Sequence, residues 1–398
     1  MTDGVASRLA RRVDARLGSL REAGLLRTLR PPTGIDLSSN DYLGLARDAR
    51  VVQALVNGAT RDGCGSTGSR LMRGEREVFG AVERRFAAFK GTERALYFSS
   101  GYLANLAVLT TLPEKGDVIL SDARNHASLV DAIRLSAADR VVFPHNDAAA
   151  LEERLSTIAS GSSGSLGRRD AQVFVVVESV FSMDGDRAPL SAYAALCRAH
   201  GAALVVDEAH AVGLLGDRGS GLIEEAGLER DVCVSMNAAG KALGVAGAFV
   251  AGPAWVVDYL VQRARPFMFS TAPPPAVAHA LEASLAIVGL EPDRRRLVLD
   301  RAAYLRRSLA SAGIAVPQDR SPIIPILIGE NGRATRVAEA LRARGFDARA
   351  IRPPTVPPGT ARLRLSVNVS LGEDVIDGFV TALVGSLEAA TPWPAVSS

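Results

Sequence analysis

Short apolar runs alternate with longer amphipathic segments through the middle of the chain, and few folds accommodate this pattern. Residues 173–177 and 203–207 are almost continuously apolar, and residues 190–200 between them have a helical pattern. Strands without a polar face are buried on both sides, as in a parallel sheet that is covered by helices. The sequence therefore predicts an α/β fold with a large, mostly parallel sheet flanked by helices.

The pattern also predicts how the chain is divided. We expect three parts, which are an N-terminal helix and arm at 1–50, a large α/β domain at 51–290 and a smaller C-terminal α+β domain at 291–398. The local patterns predict a helix at 6–29, a strand that runs into a turn at 37–45 and a Gly- and Ser-rich surface loop at 160–170.

Composition narrows the classes of partner. Lys and Arg number 46 against 43 Asp and Glu, with no basic block, so nucleic-acid binding is not expected. Cys64, Cys197 and Cys233 are scattered, which predicts a reducing compartment and neither a disulfide framework nor a metal site. The Arg-rich start lacks an apolar signal core, and the apolar stretch near 244–257 is broken by Gly and Pro. We therefore expect a cytoplasmic protein without a membrane span.

Lys241 is the most informative single residue. It lies in the small-residue segment 237–244, downstream of an apolar run that ends in Asp207 and is followed by His210. Such a layout is typical of pyridoxal phosphate enzymes, in which Lys forms a Schiff base with the cofactor and Asp keeps the cofactor ring protonated as an electron sink. Each residue alone also has an ordinary interpretation: Asp207 as a helix cap, His210 as a loop side chain and Lys241 as a surface side chain. The combination favours the cofactor site.

Other candidates also follow strands, where ligands bind in open parallel sheets. Ser100, Gly101 and Tyr102 open a predicted helix, whose first N–H groups are suited to a phosphate, although an ordinary turn explains them equally well. His126 heads another helix, where its flat ring is suited to stacking on a cofactor or to capping the helix. The segment 178–186 follows a strand and has a structural turn as its alternative.

Arginine residues mark a possible anion site in the C-terminal part. Arg352 and Arg364 flank a Pro-rich segment, residues 353–359. A rigid loop that holds Arg is suited to carboxylate capture, because the planar guanidinium makes paired hydrogen bonds. A solvated surface position is the alternative for each.

Together these stretches resemble one family, the α-oxoamine synthases of the fold type I pyridoxal phosphate enzymes, over roughly residues 10–390. The stretches that carry the resemblance are 39–45, 65–71, 125–128, 180–189, 206–213, 240–244, 269–274 and 351–366. The segment 352–357 points to the member that joins alanine to a pimeloyl thioester in biotin synthesis.

The resemblance implies a role for each cofactor contact. Lys241 holds the cofactor and later removes the substrate α-proton, and Asp207 pairs with the ring nitrogen. His210 contacts the ring hydroxyl with Ser179 close by, and His126 stacks on the ring and helps to polarise the acyl carbonyl.

The remaining roles concern the phosphate and the substrates. The turn at Ser100, Gly101 and Tyr102 binds the phosphate, and Thr271 reaches the phosphate of the neighbouring subunit, because family sites form across a homodimer interface. The candidate substrate contacts are Arg364 for the amino acid carboxylate, Arg352 and Arg27 for a mobile carboxylate or the acyl tail, and Asn40.

Two positions depart from the family pattern. Ala238 stands where the family usually has a Thr that binds the phosphate, and Phe79 stands where it usually has a His. Losing one phosphate hydrogen bond is expected to weaken cofactor binding by about 1–3 kcal/mol, unless Asn237 or Ser235 compensates.

The expected reaction is a decarboxylative condensation of an amino acid with an acyl thioester, carried on coenzyme A or on a carrier protein, to give an α-amino ketone, CO₂ and a thiol. Within the family, glycine with acetyl or succinyl thioester, serine with a long acyl thioester, and a secondary-metabolite substrate remain open. Outside it, an aminotransferase or an aldolase on the same fold, and a non-catalytic subunit of a heterodimer, are the alternatives.

Overall fold

The computed structural model describes residues 5–160 and 171–390, and residues 161–170 of the predicted surface loop lie outside them. The helices are α1 Val5–Glu22, α2 Ala49–Asp62, α3 Glu77–Lys90, α4 Gly101–Leu109, α5 Ala127–Leu135, α6 Ala148–Ala159, α7 Leu190–His200, α8 Leu222–Glu225, α9 Ala254–Arg263, α10 Arg265–Met268, α11 Pro275–Leu290, α12 Pro292–Ser311, α13 Asn331–Ala343 and α14 Glu373–Ala389. Short helical turns lie at Leu45–Arg47 and Arg70–Gly74.

The strands within the described ranges form three separate sheets. They are β1 Ile35–Asp36, β2 Arg94–Phe98, β3 Val118–Asp122, β4 Asp139–Phe143, β5 Val173–Glu178, β6 Ala203–Asp207, β7 Val232–Ala238, β8 Ala248–Gly252, β9 Ile323–Gly329, β10 Phe346–Asp347, β11 Ala350–Ile351 and β12 Ala361–Ser366.

The chain divides into two compact units. The larger unit contains residues 40–299 and 368–370, and the smaller contains the chain up to 39, residues 300–367 and the chain from 371 onward. Residues 40–50 therefore group with the large unit rather than with the N-terminal arm, and the second boundary falls inside α12. One contact that joins residues 40–50 to the rest of the large unit is the hydrogen bond from Arg294 Nη1 to the carbonyl of Leu43, at 3.0 Å.

The large unit is built around seven strands in the order β2-β8-β7-β6-β5-β3-β4. Only β8 runs antiparallel to its neighbours; the pairs among β7, β6, β5, β3 and β4 are all parallel. The predicted, mostly parallel sheet is confirmed. Buried side chains of the sheet pack against α4, α5 and α9 in one continuous core. Because β5 and β6 are apolar along almost their whole length, both faces of the sheet are buried there.

The small unit has its own sheet and core. β12 lies between β11 and β9 and is antiparallel to both, while β1 pairs in parallel with β10. Leu363 and Leu365 of β12 pack with side chains of α12, α13 and α14 in a second hydrophobic core. This arrangement agrees with the α+β domain predicted for the C-terminal part.

Two local predictions need correction. The predicted helix 6–29 ends at Glu22, because Gly24 adopts a left-handed conformation with φ 66° that stops the helix. The predicted strand 37–45 is mostly a turn, and only Ile35–Asp36 before it pairs as a strand. The Asp41 carboxylate accepts from the Leu45 N–H at 2.9 Å, and this contact competes with an extended ladder.

Helix length and polarity decide whether a membrane span is present. In the two described ranges, no helix is both long enough and apolar enough to cross a membrane.

Candidate active site

Three parallel strands bring polar groups to one edge of the large sheet. Glu178 ends β5, Asp207 ends β6, and these two residues are direct partners in the ladder. β7 pairs with β6 and ends at Ala238, three residues before Lys241. Parallel strands end at the same edge, where crossover loops leave room for a ligand. The structure therefore places the predicted Asp207 and Lys241 at one edge of the sheet.

A chain of hydrogen bonds runs from Lys241 into the protein. Lys241 Nζ lies 2.8 Å from His210 Nε2, and His210 Nδ1 lies 2.8 Å from the Tyr42 hydroxyl. Tyr42 is fully buried and donates to Asn40 Oδ1 at 3.1 Å. The predicted residues Lys241, His210 and Asn40 are thus joined through Tyr42, which the sequence analysis did not select.

The chain of donors fixes the tautomer of His210. Asn40 Oδ1 can only accept, so the Tyr42 hydroxyl proton points to it. The Tyr42 oxygen must then accept from His210 Nδ1–H, which leaves His210 Nε2 as the acceptor that faces Lys241 Nζ. His210 is therefore arranged to hold a proton of the Lys241 amine.

A second chain links Asp207 to His126. Asn105 Nδ2 donates at 2.8 Å both to Asp207 Oδ2 and to Ser128 Oγ. Ser128 Oγ lies 2.7 Å from His126 Nδ1. Asp207 Oδ1 accepts from the backbone N–H of Ala209 at 2.8 Å, so both carboxylate oxygens are engaged and the orientation of Asp207 is set.

His126 is presented in its neutral form. Its Nδ1 accepts from the backbone N–H of Ser128 at 3.2 Å and caps α5, so the alternative interpretation as a cap is also correct. Burial lowers the pKa of His126, the charge of Asp207 opposes this shift, and Lys241 adds to it. The residue as a whole is exposed, although its Nδ1 contact with Ser128 is partly buried.

Glu178 and Ser179 end the neighbouring strand in a buried setting. Burial and the charge of Asp207 raise the pKa of Glu178 to about 8, with Lys241 acting in the opposite direction. The Glu178 carboxyl group is therefore mostly protonated at neutral pH. Ser179 is fully buried, its N–H donates to the carbonyl of Asp207 at 2.8 Å, and its Oγ has no hydrogen-bond partner among the described residues.

The beginning of α4 forms the predicted phosphate turn. Ser100 caps the helix by accepting from the N–H of Leu103 at 3.3 Å. Gly101 follows, and a Cβ placed there would lie 3.6 Å from the Cβ of Ala238. Tyr102 is 45% exposed and its hydroxyl donates to Asp131. The first N–H groups of a helix have no partner within the helix, so this turn can hold an anion.

Asn237 and Ser235 do not replace the Thr hydroxyl that is missing at Ala238. Asn237 Nδ2 donates to Ser235 Oγ at 3.0 Å, and both side chains are buried. Successive side chains of a strand point to opposite faces, so Asn237 and Ser235 share the face that is turned away from Ala238. Neither residue supplies the missing hydroxyl next to Gly101.

Phe79, which stands where the family usually has a His, packs in the core of the large unit. Phe79 is fully buried, with its ring 6.1 Å from that of Tyr97. The Arg70 guanidinium lies 4.7 Å from the Phe79 ring centroid and pairs with Glu83 at 2.7 Å. Phe79 therefore anchors the Gly-rich turn through Arg70.

Four more predicted site residues have contacts or surroundings of their own. Thr271 is exposed in the large unit. In the small unit, Arg364 is buried on β12 and donates to Ser366 Oγ at 2.7 Å. Arg27 donates to the carbonyl of Pro353 at 3.0 Å, and Arg352 donates to the carbonyl of Gly24. Arg27 and Arg352 thus hold the segments near 24–27 and 352–353 together.

Tyr42, Asn105 and Ser128 are functional candidates that the sequence analysis missed. Asn105 offers a signal in retrospect, because it is the only amide in the otherwise apolar helix α4, and a buried amide requires partners. Tyr42 lies within the family-like stretch 39–45 but carried no motif of its own. No group of three or more His, Cys, Asp or Glu side chains that could hold a metal ion lies within the described parts of the chain.

Comparisons with known proteins show which family this chain is similar to. The family described as aminotransferase class I and II matches residues 32–383. An 8-amino-7-oxononanoate synthase of Anaeromyxobacter dehalogenans (strain 2CP-1) is 45% identical over 394 residues, which cover 96% of each chain. A serine palmitoyltransferase from S. paucimobilis with a bound PLP–myriocin aldimine has a TM-score of 0.88 at 27% identity, covering 97% of this chain and 99% of that one.

A second solved structure, an 8-amino-7-oxononanoate synthase from Francisella tularensis, has a TM-score of 0.76 at 28% identity and covers 89% of this chain and 98% of its own. These similarities extend over nearly the whole chain and confirm the predicted fold. The chain belongs to the class I and II aminotransferase family and, within it, to the α-oxoamine synthases.

Proposed function

We propose that this protein is a pyridoxal phosphate-dependent acyltransferase that condenses L-alanine with a pimeloyl thioester and releases CO₂ and a thiol. The product is 8-amino-7-oxononanoate, a precursor of biotin. The observation that carries the choice of substrates is the 45% identity to an 8-amino-7-oxononanoate synthase over 96% of both chains. The Lys241–His210 contact and the nearby Asp207 support the cofactor.

The residues of the large unit fit pyridoxal phosphate. Lys241 would hold it through Nζ, Asp207 would pair with its ring nitrogen, and the N–H groups of Gly101 and Tyr102 would receive its phosphate. Ser179 supplies an independent observation, because a fully buried hydroxyl without a partner is costly unless a ligand supplies one.

When bound, the cofactor supplies an electron sink for negative charge at the amino acid α-carbon. The protein supplies the proton transfers and the orientation. Lys241 Nζ accepts the α-proton, and His210 Nε2 holds that amine in place at 2.8 Å. Asn105 and Ala209 engage both oxygens of Asp207 and so fix the orientation in which this carboxylate would pair with the ring nitrogen. Neutral His126 would stack its ring on the cofactor and would offer its Nε2–H to the acyl carbonyl.

The small unit would supply the contacts to the substrate carboxylates. Arg364 is the proposed partner of the amino acid carboxylate, because a buried guanidinium is suited to a planar anion. Arg27 and Arg352 are the proposed contacts for a mobile carboxylate or the acyl tail. Asn40 stays a separate candidate for a substrate contact. Burial lowers the pKa of Arg352, and the positive charges of Arg27 and Arg30 add to this, so a carboxylate in this cluster would relieve repulsion.

A serine and long-chain acyl thioester pair is the second candidate. It is favoured by the serine palmitoyltransferase structure, whose TM-score of 0.88 exceeds the 0.76 of the Francisella protein. Sequence identity supports the first candidate, at 45% against 27%. Because members of one family share a backbone fold while substrates are read by side chains, we give identity the greater weight.

We further propose that the protein is a cytoplasmic homodimer, with Thr271 reaching the phosphate of the partner subunit. The exposed position of Thr271 leaves its hydroxyl available for such a contact. Sedimentation of the purified protein tests the dimer directly. A monomer that retained full activity would contradict it.

The substrates are tested by thiol release. Purified protein with pyridoxal phosphate is given pimeloyl, acetyl, succinyl or palmitoyl coenzyme A, each with L-alanine, glycine or L-serine. The proposal expects release with alanine and the pimeloyl thioester. Release confined to serine with palmitoyl coenzyme A would establish the second candidate, and release with no pair would contradict both unless a carrier-protein thioester restores it.

A further inference from the structure

His145 lies between two loops that follow strands of the large sheet, and it has no part in the proposed chemistry. His145 follows β4, and its Nδ1 lies 2.9 Å from Asp122 Oδ1 at the end of β3. Its Nε2 lies 2.6 Å from Asp186 Oδ2, in the loop between β5 and α7. Because β4, β3 and β5 are neighbours in the sheet, one imidazole spans the exits of three strands.

The geometry requires a doubly protonated ring. Both partners of His145 are carboxylate oxygens, which accept hydrogen bonds, so both ring nitrogens must donate. The Asp122 oxygens are fixed in turn, since Oδ1 accepts from the N–H of Arg124 at 2.8 Å and Oδ2 from the N–H of Asn146 at 2.9 Å. Burial lowers the pKa of His145, but its hydrogen bonds to Asp122 and Asp186 and their charges outweigh this and raise the pKa to about 9.

Each carboxylate belongs to a segment that carries a proposed site residue. The turn after Asp122 leads within four residues to His126, and the carbonyl of Asp122 accepts from the N–H of Asn125 at 3.2 Å. The loop containing Asp186 begins at Ser179 and is closed on itself by the contact of the Phe181 N–H with the Asp186 carbonyl at 2.9 Å.

Surrounding contacts hold the bridge in place. The Phe181 ring meets the His145 ring edge to face, with centroids 4.4 Å apart. Asn146 has φ 52° and donates through Nδ2 to Asp186 Oδ2 at 2.9 Å. Arg124 and Asp184 form a second link between the same two segments at 3.1 Å, but the Arg124 side chain is 54% exposed, and exposed pairs contribute little.

We propose that His145 is a positioning residue, whose imidazolium ties the turn that carries His126 to the loop that begins at Ser179 and so sets the spacing of these two groups around the cofactor. The roles of His126 and Ser179 rest on the proposed function. The ionic bridge itself does not, because it is present among the protein's own side chains.

The titratable groups around the bridge are few. Asp122 and Asp186 contact the imidazole from β3 and from the β5–α7 loop. Tyr193 of α7 and Asp147 at the start of α6 are the next groups, since both Asp122 and Asp147 raise the pKa of Tyr193. Tyr193 stays neutral over the range in which His145 titrates, so a transition near pH 9 reports the bridge.

The first test uses the chain without cofactor. With ¹³C-labelled histidine, five imidazole signals are expected, and the one that disappears in His145→Gln is that of His145. The proposal expects this signal to titrate near pH 9 and to move to lower pH in Asp186→Asn. Titration near 6.5, the ordinary value for histidine, would overturn the bridge whatever the protein catalyses.

The second test measures the dissociation constant of pyridoxal phosphate. His145→Gln and Asp186→Asn are each expected to weaken binding about tenfold at pH 7.5, the scale of one charge-assisted hydrogen bond. The double variant is expected to be no weaker than either single variant. The difference in cofactor affinity between the variants and the wild type is expected to vanish at pH 10, where the wild-type imidazole is itself neutral.

His279→Gln is the matched control, because it removes another histidine–aspartate pair, with Asp62 at 2.7 Å between α11 and α2. It is expected to bind the cofactor like the wild type. A deficit in His145→Gln that stayed constant from pH 7.5 to 10 would overturn the positioning role. A wild-type chain that bound no cofactor would refute the proposed function, and the titration would still decide the bridge.

Discussion

Lys241 Nζ lies 2.8 Å from His210 Nε2, and the hydrogen bonds behind His210 determine that this nitrogen is an acceptor. The Lys241 amine is thereby held at the edge of the sheet where β6 ends in Asp207. The orientation of His210 depends on Tyr42, a fully buried residue that is distant in sequence from Asp207 and His210.

Tyr42→Phe tests this dependence. The change removes the oxygen that accepts from His210 Nδ1, so the imidazole is no longer held in one tautomer. We expect kcat to fall about tenfold, corresponding to about 1.4 kcal/mol, while the KM for the amino acid changes little. Steady-state kinetics measure both constants. An unchanged kcat would show that Tyr42 does not orient His210.

Asn105→Ala tests the second chain of hydrogen bonds. Asn105 Nδ2 donates to Asp207 and to Ser128, so its removal releases both the Asp207 carboxylate and the support of His126. We expect pyridoxal phosphate to bind at least tenfold more weakly, because a hydrogen bond to a charged group contributes about 1.5–3 kcal/mol. Fluorescence titration of the cofactor-free protein measures the constant. Wild-type affinity would contradict the role of Asn105.

Ala238→Thr tests the departure from the family pattern. Ala238 faces Gly101 at the start of α4, and neither Asn237 nor Ser235 replaces the missing hydroxyl. A Thr hydroxyl there is expected to tighten cofactor binding about tenfold through one added hydrogen bond to the phosphate. The matched control is Ala238→Val, which has the same shape without the hydroxyl. Equal binding by both variants would contradict a phosphate next to residue 238.

A buried ion pair lies directly beside Asp207. Lys90 and Glu208 are 2% and 0% exposed, and Lys90 Nζ donates to Glu208 and to the carbonyl of Ser220. Lys90→Met leaves a buried carboxylate without its partner, so we expect the free energy of unfolding to fall by about 3–5 kcal/mol.

Lys90→Met/Glu208→Gln removes both charges and is expected to recover part of that loss. Urea unfolding measures each variant. A loss below about 1 kcal/mol in the single variant would contradict a fully desolvated pair.

The His145 bridge also predicts how stability depends on pH. The pKa of His145 is raised to about 9 in the folded chain, against about 6.5 in the unfolded chain. The folded state therefore binds the extra proton more tightly, and the stabilisation is complete below pH 6.5 and lost as the pH rises through 9. We expect the wild type to exceed His145→Gln by at most about 3 kcal/mol at pH 6 and by almost nothing at pH 10. If the stability difference between the wild type and His145→Gln grew as the pH rose, the charged bridge would be contradicted.

The sequence predicted the elements whose burial leaves a strong pattern. β5 and β6 are apolar on both faces, so their existence and parallel packing could be predicted directly, and Asp207 was selected because it ends β6. Lys241 follows β7 and was selected from its small-residue segment, residues 237–244. The contacts that orient them could not be predicted. Asn105 reaches Asp207 across 102 positions of sequence, and Tyr42 reaches His210 across 168.

Local backbone preferences explain the errors. The predicted helix 6–29 has helical spacing throughout, but a single left-handed Gly24 ends it early. The predicted strand 37–45 is apolar enough to pair, yet Asp41 and the left-handed Gly44 favour a turn. In both cases one residue with a special conformation outweighs the periodic pattern around it.

The central claim is that Lys241 carries out a decarboxylative condensation, and the stoichiometry of its products tests this most directly. Purified protein with pyridoxal phosphate, carboxyl-labelled L-alanine and pimeloyl coenzyme A is followed for labelled CO₂ and for free thiol in the same sample. The account predicts equal amounts of both in the wild type and neither in Lys241→Ala. Conversion of alanine to a keto acid without thiol release, or full activity in Lys241→Ala, would contradict it.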